Sequence, residues 1–286
     1  MTPLLLAQGL AIGLVNGALY ILTALGLTLI YGILHIVNFA HGEIYMLGAM
    51  AVYVFFVVLQ WPLGAALAAI VLLAALLGLA IERGVFRNLR GQWMQLLVAS
   101  VGISLIIQSL SWIAFGAQEK NVPSVLPGVV ALAGVRVPIE RLAAAGVALV
   151  LVAALYWVVY RTRTGLAMRA IEEDEETARM LGVNADRVAA VAVALGFILA
   201  GLGGAFVAPI YSLNPGMGLE AILMSFIIII IGGLGSITGT VLAGLAIGVL
   251  QSIGALALGA EAAHVLVFAA MIAVLILRPQ GLLGRG

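Results

Sequence analysis

Leu5-Leu6-Ala7-Gln8-Gly9-Leu10-Ala11-Ile12-Gly13-Leu14-Val15-Asn16-Gly17-Ala18-Leu19-Tyr20 opens an apolar run that continues to Tyr31. It passes the about 20 residues that a helix needs to cross a bilayer. The residues before it, Met1-Thr2-Pro3-Leu4, lack the basic stretch of a secretory signal, and no small-residue cleavage site interrupts the run before it is long enough to span. Segment 5–31 is therefore expected to be an uncleaved transmembrane helix. Further candidates lie near 43–59, 62–81, 94–116, 143–160, 188–208, 221–232, 237–255 and 263–277. Segment 221–232 is short and ends in Gly232-Gly233-Leu234-Gly235, so it reads as a half-helix, a broken helix, or part of one bent span with its successor. The stretch His35–Gly42 has the same ambiguity. Irregular backbone at membrane depth survives only where protein or a water-filled cavity satisfies it, which makes Gly232, Gly233 and Gly235 candidates for a broken, gating turn. Eight to ten spans are expected.

Composition agrees. Hydrophobic residues make up 64% of the chain and charged residues 9%, against about 25% charged in soluble domains; most of the surface must face lipid. With 13 Lys plus Arg against 12 Asp plus Glu there is no excess of basic charge to attract nucleic acid. The absence of Cys excludes disulfides and thiolate chemistry. The fold class is all-α and polytopic.

Charge also orients the spans, because basic residues in short loops mark the cytoplasmic side. Nine crossings with the N-terminus outside place Arg83, Arg87, Arg90, Arg161, Arg163, Arg169, Arg179, Arg187, Arg278 and Arg285 inside. Only Lys120, Arg136 and Arg141 fall outside, and the C-terminus is cytoplasmic. Residues 117–142 form the external, periplasmic loop. It is extended by its prolines and glycines, with a short hairpin suggested where Val135–Val137 are flanked by turn formers. Many glycines inside the segments, such as Gly196, Gly201, Gly203, Gly204, Gly239, Gly244 and Gly248, suit close helix packing. A faint internal echo links Asn38–Gly48 with Leu234–Gly244, each a Gly-containing break leading into an apolar helix.

The cytoplasmic loop 161–187 carries the strongest signal. Its carboxylates Glu172-Glu173-Asp174-Glu175-Glu176 cannot enter lipid, where each Asp at a helix centre costs roughly 2.5–3.5 kcal/mol. Residues 172–181 read as one short helix with acidic residues crowding its first turn, where the helix dipole favours them. Ala178 and Leu181 are expected to share a face, and Gly182 is a suitable stop. A helix this short needs support from the membrane domain or a partner; a solvated linker that fixes topology is the plainer alternative.

Gly165-Leu166-Ala167-Met168-Arg169-Ala170 through Glu175-Glu176-Thr177-Ala178-Arg179-Met180-Leu181-Gly182-Val183 resembles the cytoplasmic coupling loop of bacterial branched-chain amino acid importer permeases. Phe197–Ala205, Ile36-Val37-Asn38-Phe39-Ala40-His41-Gly42-Glu43, Gly232-Gly233-Leu234-Gly235-Ser236 and Arg278-Pro279-Gln280-Gly281-Leu282-Leu283-Gly284 are similar to that family too. The likeness is closer to the H-type subunit than to its longer M-type partner. It implies a single permease domain over 1–286, of the type II-like kind found in ATP-binding-cassette importers, in a bacterial inner (plasma) membrane. The implied partners are a second, non-identical M-type permease, two cytoplasmic ATPases that use ATP and Mg, and a periplasmic or lipid-anchored substrate-binding protein. The coupling surface carried over comprises Arg169, Ala170, Glu172, Glu173, Asp174, Glu175, Glu176, Ala178, Leu181 and Gly182, which would seat on the ATPase. The implied substrates are branched-chain or other hydrophobic amino acids, with urea, amides or small carboxylates as alternatives within the family.

The residues offer no chemistry of their own. A phosphate-binding loop needs Gly-x-x-x-x-Gly-Lys-Ser/Thr, and the one Lys, Lys120, is followed by Asn121. Energy must come from a partner or a gradient, and no cofactor is expected on this chain. His35, His41 and His264 lack metal-ligand spacing, so no metal site and no enzyme activity are expected. Polar groups inside spans are costly and often line pathways. Asn16 and Tyr20, at i and i+4, are one candidate pair, although Asn16 could simply bond a neighbouring helix. Asn38, His41 and Glu43 are another set, unless they only mark the cytoplasmic end of the first hairpin. His41 and Glu43 are also the adjacent ionisable pair that a stand-alone secondary transporter or channel would use. Asn214 and Glu220 fall at an outer edge, and Gln108 and Gln251 lie within spans.

Overall fold

The computed structural model describes residues 2–132 and 134–284. Arg285, assigned above to the cytoplasmic side, lies outside the described residues.

Helix α1 runs Pro3–Leu34, begun by Thr2, whose hydroxyl accepts from the Leu5 N–H, and by Pro3 in the first turn, where its missing N–H costs nothing. Helix α2 (Ala40–Val52) continues as a π-helical stretch, Tyr53–Val58. Helix α3 (Leu63–Ile81) widens into a π-helical stretch, Glu82–Phe86, and ends in a tighter 3-10 turn, Arg87–Leu89; α4 spans Trp93–Phe115. Strands β1 (Val129–Leu132) and β2 (Val135–Pro138) form the hairpin suggested for the 117–142 loop, with Val130 opposite Val137. Then come α5 (Ile139–Arg161), α6 (Arg163–Glu173), α7 (Glu175–Met180), α8 (Ala185–Val207), α9 (Met217–Gly232), α10 (Ile237–Leu258) and α11 (Ala260–Leu277). Among the described residues, eight helical stretches are long and apolar enough to cross a membrane; α9, with 16 residues, is a ninth and shorter apolar helix.

The bundle centres on α1. Helix α10 lies antiparallel to it, Gly13 meeting Val249 and Gly17 meeting Gly244 and Leu245. Helix α8 packs along another side, where Gly26 faces Gly196. At such points any side chain would strike backbone, which is how small residues bring membrane helices into contact.

Two connections are broken inside the bundle. After α1 ends at His35, whose positive φ of 52° turns the chain out of the helix, Ile36–Asn38 run without helical structure. They return to the middle of α1. His41 Nε2 lies 2.9 Å from the Thr23 carbonyl, and Thr23 precedes the end of α1 by about 16 Å of helix rise. A carbonyl only accepts, so Nε2 carries the proton. The His35–Gly42 stretch is thus a break at depth rather than the end of a hairpin. Residues 208–216 are its counterpart: α9 starts inside the bundle too, with Gly218 against Gly42 and Phe226 against Phe39. From that crossing α2 runs toward the N-terminal end of α1 and α9 toward its C-terminal end. The echo between Asn38–Gly48 and Leu234–Gly244 is not the relation that the fold contains. The second of these stretches is a tight turn at the bundle's end, and the partner of the first break is 208–216.

Charge separates the ends. The hairpin end holds Lys120, Arg136 and Arg141; Gln8 of α1 exchanges hydrogen bonds with the Arg136 backbone there, and Lys120 pairs with Leu213. The opposite, basic end holds Arg83, Arg87, Arg90, Arg161, Arg163, Arg169, Arg179, Arg187 and Arg278. Fully buried Glu82 is neutralised there by Arg87 at 3.1 Å and Arg90 at 2.6 Å, and Arg90 also bonds Asp186 at the start of α8.

Candidate translocation cavity and its floor

A cavity of about 600 Å³ opens between α1, α9, α10 and α11 toward the hairpin end, within the size range of small-molecule sites. Helix α1 contributes Ile12, Asn16, Tyr20 and Thr23, a depth of roughly 16 Å along its axis. Tyr45 of α2 reaches it from behind, Tyr211 and Asn214 from the broken connection, and Glu220, Met224 and Ser225 from α9. Gln251 and Ser252 of α10 and His264 of α11 complete the wall. The Tyr20 hydroxyl donates to Gln251 Oε1 at 2.8 Å. Asn16 Oδ1 and Thr23 Oγ1 are buried with no hydrogen-bond partner among the described residues.

Each wall helix turns apolar below this level. Ala24 and Leu27 of α1, Ile227, Ile228 and Ile231 of α9, Ala243 and Ile247 of α10 and Val267 of α11 form one buried cluster that floors the cavity. Beneath it the Thr28 and Thr240 hydroxyls share a hydrogen bond of 2.8 Å. The α9–α10 turn then closes the basic end. Gly232 presses on Gly239, while Gly233 and Gly235 take positive φ of 104° and 82°, which side chains rarely adopt. The Leu282 and Leu283 N–H groups donate to the Ile231 and Gly232 carbonyls at 2.8 and 3.1 Å, so the Arg278–Gly284 segment satisfies acceptors that a helix end leaves open.

Helix α6 touches this turn. Gly165 packs under the Val158 and Val159 carbonyls, Met168 and Ile171 are buried, and Arg169 stacks over Tyr160 at 5.2 Å. The half-buried Glu172 side chain lies against Gly235 and Gly32.

The 172–181 stretch departs from the expected single helix. Asp174 is extended and breaks it: Glu172 and Glu173 end α6, and Asp174 caps α7 by accepting from the Glu176 and Thr177 N–H groups at 3.0 and 3.1 Å. A carboxylate three residues ahead of a free N–H gains more as a cap than inside a helix. The Thr177 hydroxyl and the Thr177 and Glu176 N–H groups hold the Asp174 carboxyl below the ordinary range. Gly182 does stop α7: its own N–H reaches Arg179 and the Val183 N–H reaches Ala178, the paired bonds of a left-handed helix stop. Ala178 and Leu181 do not share a face. Ala178 is buried in the cluster of Met168, Ile171, Ala185 and Val188, whereas Leu181 lies beyond the helix, 81% exposed. Arg169 and Ala170 are half-buried; Glu173, Asp174, Glu175, Glu176 and Gly182 are exposed. The outward apolar pair is Met180 and Leu181, of which the sequence reading missed Met180.

Of the pathway candidates, Asn16 and Tyr20 line the cavity; Asn38, His41 and Glu43 do not. The Asn38 side chain accepts from Ala40 N–H, His41 lies behind Thr23, and Glu43 Oε1 accepts from Ser104 of α4 at 3.1 Å. All three are buried. Glu220 and Asn214, read as outer-edge residues, lie on the wall, as do Tyr45, Tyr211 and His264, which the sequence reading did not select.

The sequence matches, over residues 9–275, the family described as "Branched-chain amino acid transport system / permease component". The high-affinity branched-chain amino acid transport system permease protein BraD of Pseudomonas aeruginosa is 33% identical over 293 residues, covering 97% of this chain and 95% of that protein. The corresponding LivH protein of Escherichia coli K12 is 31% identical over 288 residues, covering 96% and 94%. A probable LivH permease protein of Methanocaldococcus jannaschii is 27% identical over 290 residues, covering 93% and 89%.

Proposed function

The chain belongs to the family of branched-chain amino acid transport permease components, and on that premise we propose that it carries branched-chain or other hydrophobic amino acids across the bacterial inner membrane by alternating access. One observation carries this reading: a cavity whose wall mixes polar and apolar side chains, floored by an apolar cluster, with the closing turn in contact with the amphipathic α6. The hairpin end faces outward and the basic end the cytoplasm, in keeping with the excess of arginine there. An external binding protein delivers the solute to the cavity mouth.

Opening of the floor is driven by partners, since the chain has no phosphate-binding loop. One of two cytoplasmic ATPases grips α7 through Met180 and Leu181, and closure of the ATPase pair on ATP moves α6. Glu172 passes the motion to Gly235, and α9 and α10 part at the turn. Arg169 keeps α6 aligned on Tyr160, and Gly233 lets the turn flex. A second, non-identical permease stands beside this one.

The test is Met180→Asp with Leu181→Asp, two exposed positions whose replacement leaves the bundle intact. Tagged chain from native membranes should carry ATPase subunits identifiable by mass spectrometry, and the double variant should lose them together with ATP-dependent leucine uptake. A wild-type chain that purifies without ATPases and takes up leucine on an ion gradient alone would establish a stand-alone secondary transporter instead.

A further inference from the structure

The carboxylate and guanidinium or ammonium groups are unevenly placed about the cavity. Among the described residues its lining contains one carboxylate, Glu220, and no Lys or Arg. Arg141 stands outside the lining, its guanidinium 5.3 Å over the ring of Tyr211. His264 of α11 also stands on the wall. On α1, Asn16 Oδ1 is an acceptor with no donor among the described residues, while the Tyr20 hydroxyl has spent its proton on Gln251. An ionised carboxylate and an amide oxygen only accept, and a primary ammonium brings three donors and a positive charge. A solute whose only charged group is a carboxylate would bring the same sign as Glu220. The rest of the lining, from Ile12, Met217, Met224 and Leu256, suits an aliphatic body.

We infer that Glu220 and Asn16 form an ammonium-reading subsite, so that the cavity admits amines and zwitterions with an apolar side chain and rejects simple carboxylates. The inference rests on the reading of this cavity as the substrate path, and it separates two solute classes between which the fold alone does not choose. A solute entering from the hairpin end passes Asn16 on α1 and reaches Glu220 on the first turn of α9, which starts inside the bundle. The field of a carboxylate in a cleft with low-dielectric walls concentrates cations and depletes anions, by tenfold or more in favourable cases. Selection by charge then happens inside the membrane domain, in addition to whatever a delivering protein imposes.

The absence of Cys permits a direct test. Ala255→Cys puts a single thiol on an exposed part of the wall and leaves Asn16 and Glu220 unchanged. Membranes carrying this full-length chain are treated with a cationic trimethylammonium-ethyl or an anionic sulfonatoethyl methanethiosulfonate, each rate normalised to a free small thiol. The cationic reagent should react about tenfold faster, and Glu220→Gln in the same background should bring the two rates to within about twofold of each other. In the Glu220 chain, leucine and 3-methylbutylamine should slow labelling while 4-methylpentanoate leaves it unchanged. Equal rates with Glu220 in place, a preference that survives Glu220→Gln, or protection by 4-methylpentanoate would overturn the subsite and leave the path standing. A thiol that neither reagent reaches would overturn the path itself.

Discussion

Helices α8 and α11 have the same mean hydropathy, 2.3, yet 72% of the former's apolar window is buried inside the protein and only 11% of the latter's. Hydropathy reports that a segment belongs in the membrane and says nothing about whether it faces protein or lipid, because lipid tails are as apolar as a protein core. What separates the two is size. Helix α8 carries Gly196, Gly201, Gly203 and Gly204, each placed where another helix's backbone or side chains come close, whereas α11 has no glycine. The centre of this molecule is defined by what its residues lack.

The sharpest way to break that contrast is to fill a gap. A methyl group on Gly204 would coincide with the Tyr45 carbonyl of α2, and backbone there cannot step aside as a flexible side chain could. Gly204→Ala should cost about 3 kcal/mol or more, seen as a large fall in unfolding midpoint or loss of the monodisperse species in detergent. Gly102, on the peripheral α4, has nothing within 4 Å of the same methyl group, so Gly102→Ala should stay within about 0.5 kcal/mol of the wild type. Helix propensity favours Ala over Gly, so similar losses at both sites would mean that the close approach at Gly204 is not what makes its substitution costly.

That dependence on contact also explains what the sequence could and could not disclose. The apolar segments, the segregation of arginines to one end and the stop at Gly182 are local properties, and the structure reproduces them. The wall of the cavity is not local. Glu220 reads as a first-turn carboxylate at a helix start, and it becomes cavity lining only because residues 208–216 carry the chain back into the bundle before α9 begins. His41 and Glu43 look like pathway residues until the unwound Ile36–Asn38 segment sets α2 behind Thr23 and against Ser104. The five carboxylates of 172–176 are alike as a run; the break falls at Asp174 because Thr177, three residues on, answers it with both N–H and hydroxyl.

A finer probe asks whether a hydroxyl bonded across two helices adds stability that one bonded within its own helix does not. Buried Thr28 and Thr240 bond across α1 and α10, whereas Ser111 on α4 bonds only to the Ile107 carbonyl of its own helix. A double-mutant cycle of Thr28→Val and Thr240→Val should yield a coupling of about 0.6 kcal/mol, the usual scale for such pairs in membranes. Ser111→Ala paired with either threonine should give none. A cycle of zero for the threonines would assign the floor's cohesion to packing alone.

The smallest effect is expected where the contrast between buried and exposed runs out, at α7, which places one buried residue, Ala178, against the bundle. Its start depends on Asp174, exposed to water, whose carboxyl is held below the ordinary range by the Thr177 hydroxyl and the Thr177 and Glu176 N–H groups. A group with a depressed folded pKa contributes stability that is complete above its unfolded value, about 3.9, and lost as pH falls through the lower folded value. The α7 cap should therefore hold at neutral pH and release only in distinctly acidic solution. Hydrogen-exchange protection of the Glu176 and Thr177 amides should fall there while that of α8 persists. Asp174→Asn, whose amide oxygen still accepts but does not titrate, should flatten the local pH dependence. Protection in that variant that still falls with pH would move the switch to Glu175 and its 2.7 Å pair with Arg179, leaving Asp174 as a cap of geometry rather than of charge.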